Sequence, residues 1–247
     1  MKRFFLALRF LTVFPVGGDG EVTAEDLVGS TLYYPVVGLL VGLVLYGFWL
    51  WASSLWPVFL TAALTVTLWE LISAGLHLDG LMDTCDGLGV RGNLERRLEV
   101  MKDSHVGAFG AQAAIFAMLL KVMAVAALSN DVAYYPLLIL APLTGRSVMV
   151  TLMSTCKYAR ASGGLGKVFV DSTGTRQLLV TLFLYGLMGY IIIGWKIMLV
   201  TLALAIFFSI FRFFFNHNFG GITGDILGAI CELHELAVLI IAPLLLR

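Results

Sequence analysis

Charge is scarce in this 247-residue sequence. Asp, Glu, Lys and Arg make up 13% of it, against the roughly 25% of a soluble domain, which has a water-facing surface to cover. Hydrophobic residues reach 60% and mean hydropathy is +0.94, so a soluble fold of this composition would expose large apolar patches and aggregate. Neither sign of charge dominates. Sixteen Lys and Arg stand against 16 Asp and Glu, which excludes a basic nucleic-acid binder and an acidic disordered tail. Cysteine is equally sparse: Cys85, Cys156 and Cys231 are too few and too scattered for a disulfide framework, and no C-x-x-C pair occurs. Internal repeats and low-complexity segments are also missing.

Apolar sequence in long runs is what remains. A helix needs roughly 20 apolar residues to cross the hydrocarbon core, and seven windows qualify: 32–52, 55–76, 109–128, 134–155, 178–194, 197–215 and 226–246. The predicted fold is all-α, a polytopic membrane helical bundle forming a single integral membrane domain over 1–247. It has about seven transmembrane helices plus a short N-terminal interfacial helix over 4–14, where Arg9 interrupts a signal-like apolar start. Only Trp195-Lys196 joins the fifth and sixth windows, which predicts a tight hairpin with interfacial anchors.

The connecting segments alternate in basic content. Residues 1–31 carry Lys2, Arg3 and Arg9; 77–108 carry Arg91, Arg96, Arg97 and Lys102; 156–177 carry Lys157, Arg160, Lys167 and Arg176. Segments 53–54 and 129–133 carry none. The positive-inside rule then puts the N-terminus and the rich loops in the cytoplasm. The polar clusters 77–86, 102–110, 156–176 and 216–225 fall on that same side. A transporter should also hold polar groups near the midplane, so the one-sided pattern favours an enzyme acting on cytoplasmic phosphorylated metabolites.

Within the cytoplasmic acidic-motif loop 77–108, His77-Leu78-Asp79-Gly80-Leu81-Met82-Asp83-Thr84-Cys85-Asp86-Gly87 is the most informative stretch. If helix continues past residue 76, Asp79, Asp83 and Asp86 lie within an arc of about 60°. Like charges so spaced destabilise a bare helix, and a cation between them resolves the conflict. Hard oxygen ligands without matching Cys or His point to Mg²⁺, with Mn²⁺ as the other choice. The bland alternative is a solvated acidic helix end. His77 falls on the opposite side of that helix, as a hydrogen-bonding or proton-shuttling neighbour or as a structural histidine. Glu70, deeper in the second window, needs a partner in hydrocarbon, for which Lys121 and Arg146 are available.

Three further segments are polar. Asn93 is placed to cap a short helix with Leu94, Leu98 and Met101 on one face. Asp103-Ser104-His105-Val106-Gly107-Ala108-Phe109-Gly110 leads into the third window, with Asp103 as a further metal-facing acid or base, or merely part of a turn. Lys157, Arg160 and Lys167, interleaved with glycines, suit phosphate binding or simply set topology. Gly220-Gly221-Ile222-Thr223-Gly224-Asp225 resembles a phosphate- or metal-facing turn at a helix N-terminus. Asp225 and Glu232 share a helix face, with Glu235 further round.

In order along the chain come Phe-Leu-Thr-Val-Phe-Pro-Val at 10–16, His-x-Asp-Gly-x-x-Asp-x-x-Asp-Gly at 77–87, Met-Lys-Asp-Ser-His-Val-Gly-Ala-Phe-Gly at 101–110, Tyr-Ala-Arg…Gly-Leu-Gly at 158–166 and Gly-Gly-Ile-Thr-Gly-Asp at 220–225. Together these resemble the cobalamin synthase family, the adenosylcobinamide-GDP ribazoletransferases. The resemblance implies a multi-pass enzyme of the bacterial or archaeal cytoplasmic (inner) membrane. Such an enzyme joins adenosylcobinamide-GDP to α-ribazole, or its 5′-phosphate, and releases GMP with Mg²⁺ present. The residues alone reach metal-assisted chemistry on a phosphorylated substrate; the corrinoid comes from the resemblance.

On that resemblance Asp79, Asp83 and Asp86 hold Mg²⁺ against the diphosphate, with Asp103 or Asp225 completing the site. Lys102, Arg146, Lys157 and Arg160, with Gly221 and Thr223, hold phosphate oxygens. A carboxylate (Asp79, Asp83 or Asp103) or His77 accepts the hydroxyl proton. The lipid bilayer is the expected surroundings, and a homo-oligomer or association with other cobalamin-assembly enzymes is compatible with the resemblance. Two rivals stand beside it. A CDP-alcohol phosphotransferase shares the Asp79-Gly80 start but expects an Asp-Ala-Arg stretch where Met82-Asp83-Thr84 stands. A secondary transporter would use Glu70, Lys121, Arg146, Glu232 and Glu235 as a path.

Overall fold

The computed structural model of the chain describes residues 1–18, 21–160, 163 and 165–247. Helix α1 (Lys2–Leu11) buries Leu6, Ala7 and Leu11 and leaves Arg9 exposed, which is the amphipathic helix predicted at the start of the chain. Lys2 and Arg3 reach Asp26 at 2.6 Å and Glu25 at 2.7 Å in the acidic first turn of α2 (Ala24–Ser30), whose N-terminus Thr23 caps.

The chain continues through α3 (Tyr34–Ala52), α4 (Val58–Ile72), α5 (Leu76–Gly89), α6 (Leu94–Val100), α7 (Ala108–Ala127), α8 (Leu137–Thr155), α9 (Leu165–Ser172), α10 (Thr175–Ile193), α11 (Ile197–Phe219) and α12 (Gly224–Leu246). Six of the seven apolar windows form one continuous helix each. The window 55–76 does not. There α4 stops after 15 residues and the chain turns by 87° into α5. At the turn Ala74 and Gly75 take φ of 53° and 65°, and the Gly75 N–H donates to the Glu70 carbonyl at 2.9 Å, a left-handed helix ending. Hydropathy is blind to such a break, because the length of an apolar run carries no information on chain direction. The segment 77–108, predicted as a loop, therefore opens as the helix α5, packed against α12 and α7.

Among the described residues, five helical stretches are long and apolar enough to cross a bilayer, or six with the bent α4–α5 pair counted as one. One of the five, Thr175–Phe219, folds back on itself at 194–196. Gly189 lies so close to Ile197 that a Cβ there would stand 2.6 Å from its side chain, and Tyr185 faces the same cavity as Thr201. The hairpin predicted at Trp195-Lys196 is thus present.

Helix α8 is the axis of the bundle, with almost every residue from Leu137 to Val150 buried. Along it runs α3, whose Gly38 and Gly42 face the α8 backbone; a Cβ on Gly42 would stand 2.6 Å from the Ile139 Cα. This is a small-xxx-small contact, the close packing available to helices in lipid, where apolar burial gives little drive. The outward faces of α10 and α11 expose Phe183, Ile191, Met198, Leu202 and Phe213, as a lipid-facing surface should.

Candidate active site

Four segments far apart in sequence meet at one end of the bundle. Helix α5 carries Asp79, Asp83 and Asp86 and crosses the start of α12 at close range. A Cβ on Gly80 would stand 2.6 Å from the Asp225 carbonyl oxygen, so the contact depends on that glycine. Thr223 opens α12: its hydroxyl accepts the Ile226 N–H at 3.2 Å and donates to the Asp225 Oδ2 at 3.2 Å. The turn before it is tied to the chain after α8, where the Ala159 N–H donates to Ile222 O and the Ile222 N–H to Lys157 O, both at 2.9 Å. That tie delivers Arg160, whose Nη2 reaches the Asp225 Oδ2 at 2.7 Å and the Met101 carbonyl at 3.3 Å. Arg97 of α6 in turn donates to the Asn218 side chain at 2.8 Å.

The acids at this end share one field. Asp83 feels the charges of Asp79, Asp225 and Asp86, and against them that of Arg160. Asp79 is exposed, while Asp83 and Asp225 are half-buried. Asp79 and Asp225 line one cleft of about 190 Å³, whose walls include His77, Phe10, Met149, Met153 and Phe169. By type the donor set suits a small hard dication, being carboxylate throughout. By number it does not form a cage: among the described residues no three of His, Cys, Asp and Glu come close enough to hold an ion. A bound ion would therefore complete its coordination with water and phosphate, the usual habit of Mg²⁺.

Several predicted residues stand elsewhere. Asp86 turns to the start of α7, its two oxygens accepting the Gly107 and Gly110 N–H groups at 2.8 Å each. Its carboxylate meets the positive end of a helix, where a metal ligand was predicted. Asp103 keeps to its own exposed turn, 2.6 Å from the His105 Nδ1, and that bond holds its carboxyl below the usual carboxylate range. Lys102 and Lys157 are exposed near the site, and Gly221 is buried against Lys157. Residues 161, 162 and 164 of the Gly-rich stretch lie outside the described residues.

Arg146 is the clearest departure. Predicted to bind phosphate, it lies fully buried in α8, paired with Glu235 and donating to the Ser73 hydroxyl at 2.8 Å. It belongs to a deep cluster in which the Lys121 Nζ reaches Glu70 at 3.0 Å, Glu232 at 2.7 Å and Glu235 at 2.9 Å, 4.1 Å from the centre of the Trp69 ring. Lys121 is thus the partner Glu70 required. These five side chains, the path of the transporter reading, are bound to one another.

His77 is 1% exposed, and neither ring nitrogen has a hydrogen-bond partner. Phe10, Met149, Met153 and Phe169 were not anticipated at the site, since nothing in an apolar residue's sequence context distinguishes a cleft wall from a lipid-facing or packed side chain.

Fold and site together define a polytopic helical membrane protein with an acidic, arginine-bridged cleft at one end. The model of the cobalamin-5-phosphate synthase family matches residues 3–243, and the chain belongs to that family. It is 37% identical over 240 residues to the adenosylcobinamide-GDP ribazoletransferase of Geotalea daltonii, covering 97% of this chain and 96% of that one. It is 40% identical over 250 residues to the protein of that name from Pseudomonas syringae pv. syringae, covering 99% and 100%. The one from Desulfitobacterium hafniense is 39% identical over 258 residues, covering 99% and 98%. No solved structure gives a significant match.

Proposed function

We propose that this chain is an adenosylcobinamide-GDP ribazoletransferase. It joins adenosylcobinamide-GDP to α-ribazole, or its 5′-phosphate, and releases GMP, giving adenosylcobalamin or its 5′-phosphate. The observation that carries the proposal is that Asp79 and Asp225, from separate motifs, line one cleft, with Arg160 bonded to Asp225 and Asp83 in the same field, in a chain of this family.

The ribazole 3′-hydroxyl oxygen attacks the phosphorus that carries the cobinamide. The bond from that phosphorus to the bridging oxygen breaks, and GMP leaves with the bridge. Phosphoryl transfer of this kind depends on positioning and charge neutralisation more than on covalent help from the protein. Asp79 and Asp83 would hold Mg²⁺ as a pair, with Asp225 nearby and water and phosphate completing its coordination; when bound it supplies Lewis-acid neutralisation of the diphosphate, and Mn²⁺ offers similar chemistry. Asp79, exposed at the cleft, or the half-buried Asp83 one turn on accepts the hydroxyl proton. Arg160 holds Asp225 in place and stands ready to share its charge with a phosphate oxygen, while Lys102 and Lys157 add positive charge at the rim. In Arg160 and Thr223 the protein ties both phosphate-facing turns to one acid.

The excess of Lys and Arg in the segments that form this end puts it, with the N-terminus, on the cytoplasmic side of a bacterial or archaeal inner membrane. The test is direct. Purified protein in lipid nanodiscs, supplied with Mg²⁺, adenosylcobinamide-GDP and α-ribazole, should release GMP in step with corrinoid product. Consumption of neither substrate overturns the proposal.

A further inference from the structure

The cleft shared by Asp79 and Asp225 has other walls built of different material. Phe10 and Phe169 pack against each other there at a tilt, ring centroids 5.3 Å apart, and Met149 and Met153 of α8 form a further wall. One polar group enters this apolar space, the imidazole of His77, buried with both nitrogens unpartnered. Buried polar groups are costly unless hydrogen-bonded, so a buried, unpartnered imidazole at a cleft wall points to a partner brought in with a ligand. Aromatic and thioether walls favour a flat aromatic ring.

We propose that the apolar part of this cleft seats the aromatic base of the acceptor nucleoside, and that a ring N–H of His77 donates to the base's free in-plane nitrogen. This inference rests on the ribazole-transfer reading and adds where, and by which groups, that substrate is recognised. The choice between the two nucleosides in the reaction follows from polarity. A guanine edge presents several donors and acceptors and would leave most of them unpaired against Phe and Met walls, a costly arrangement. A benzimidazole presents a single unsubstituted ring nitrogen and an otherwise apolar outline, which one imidazole satisfies. With the base against these walls, its ribose emerges between Asp79 and Asp225, where the attacking hydroxyl is needed.

Binding measured without turnover tests this. Calorimetry on the protein in nanodiscs compares α-ribazole with the matching indole riboside, which carries C–H in place of the free ring nitrogen. The wild type should prefer α-ribazole by about tenfold, the scale of one buried hydrogen bond, and His77→Phe should bind the two alike. Met153→Trp, which fills the cleft from α8, should weaken both by about tenfold or more. Retention of the preference in His77→Phe together with undiminished binding in Met153→Trp overturns the inference; should His77→Phe fail to fold, the Met153→Trp result decides alone. Wild-type GMP release alongside a failed binding test removes only the base assignment. Absence of GMP release removes the transfer reading instead.

Discussion

Two clusters of acids lie along α12, built from similar residues and neutralised in different ways. In the deep one Glu70, Glu232 and Glu235 share Lys121 and Arg146, and every carboxylate touches a cation. At the mouth Asp79, Asp83, Asp86 and Asp225 have one arginine among them, which bonds only Asp225, while Asp86 is taken up by the start of α7. Charge in a membrane interior is expensive unless paired, and in the deep cluster two cations serve three carboxylates so that none is left alone. Near water, among the described residues, Asp79 and Asp83 make no ion pair of their own. The difference teaches that an acid in a membrane helix is no guide to function until its partner is known: the deep acids have theirs inside the fold, and Asp79 and Asp83 are the ones the proposed site would use.

The contrast can be broken from either side. The largest effect is expected at Lys121→Met, which leaves three carboxylates, Glu232 and Glu235 of them buried, to one arginine. Removing one partner of a buried pair costs roughly 3–5 kcal/mol, so thermal unfolding in detergent should show severe destabilisation, and little folded protein should be recovered. Asp79→Asn should act oppositely, with melting unchanged and GMP release down by about a hundredfold or more, the scale on which electrostatic groups at reacting centres contribute. Asp86→Asn sharpens the division within the mouth. Its amide cannot accept from both N–H groups of α7, and the lost bond should cost about 1–3 kcal/mol of stability. The Mg²⁺ concentration for half-maximal activity should stay that of the wild type, as befits a helix cap. A raised Mg²⁺ requirement would return Asp86 to the ligands.

Much of this was legible in the sequence, and what escaped had a physical reason. Apolar run length located the helices, because lipid demands it of every spanning segment. Charged positions inside those runs offer Lys121 and Arg146 as partners for Glu70, and it is Lys121 that Glu70 meets. The kink at Ala74 and Gly75 escaped because an alanine in the left-handed region carries no compositional signal. Arg146 was placed with the phosphates because sequence distance from a loop says little about depth along a helix. The helical spacing of Asp79, Asp83 and Asp86 put them on one arc correctly, yet the third acid's partner lies 21 residues on, at Gly107, beyond the reach of any local pattern. The motifs fared better than single residues: the turns at 158–160 and 220–225 do join, through Arg160 and Asp225.

The central claim is that the mouth acids, unlike the deep ones, hold a divalent ion against a diphosphate. Mn²⁺ binding followed by EPR in the presence of GDP tests it on the protein in nanodiscs. Asp79→Asn and Asp83→Asn should each weaken Mn²⁺ by about tenfold or more, as loss of a ligand does, while Glu70→Gln in the deep cluster leaves it as in the wild type. Wild-type Mn²⁺ affinity in both mouth variants would contradict the account.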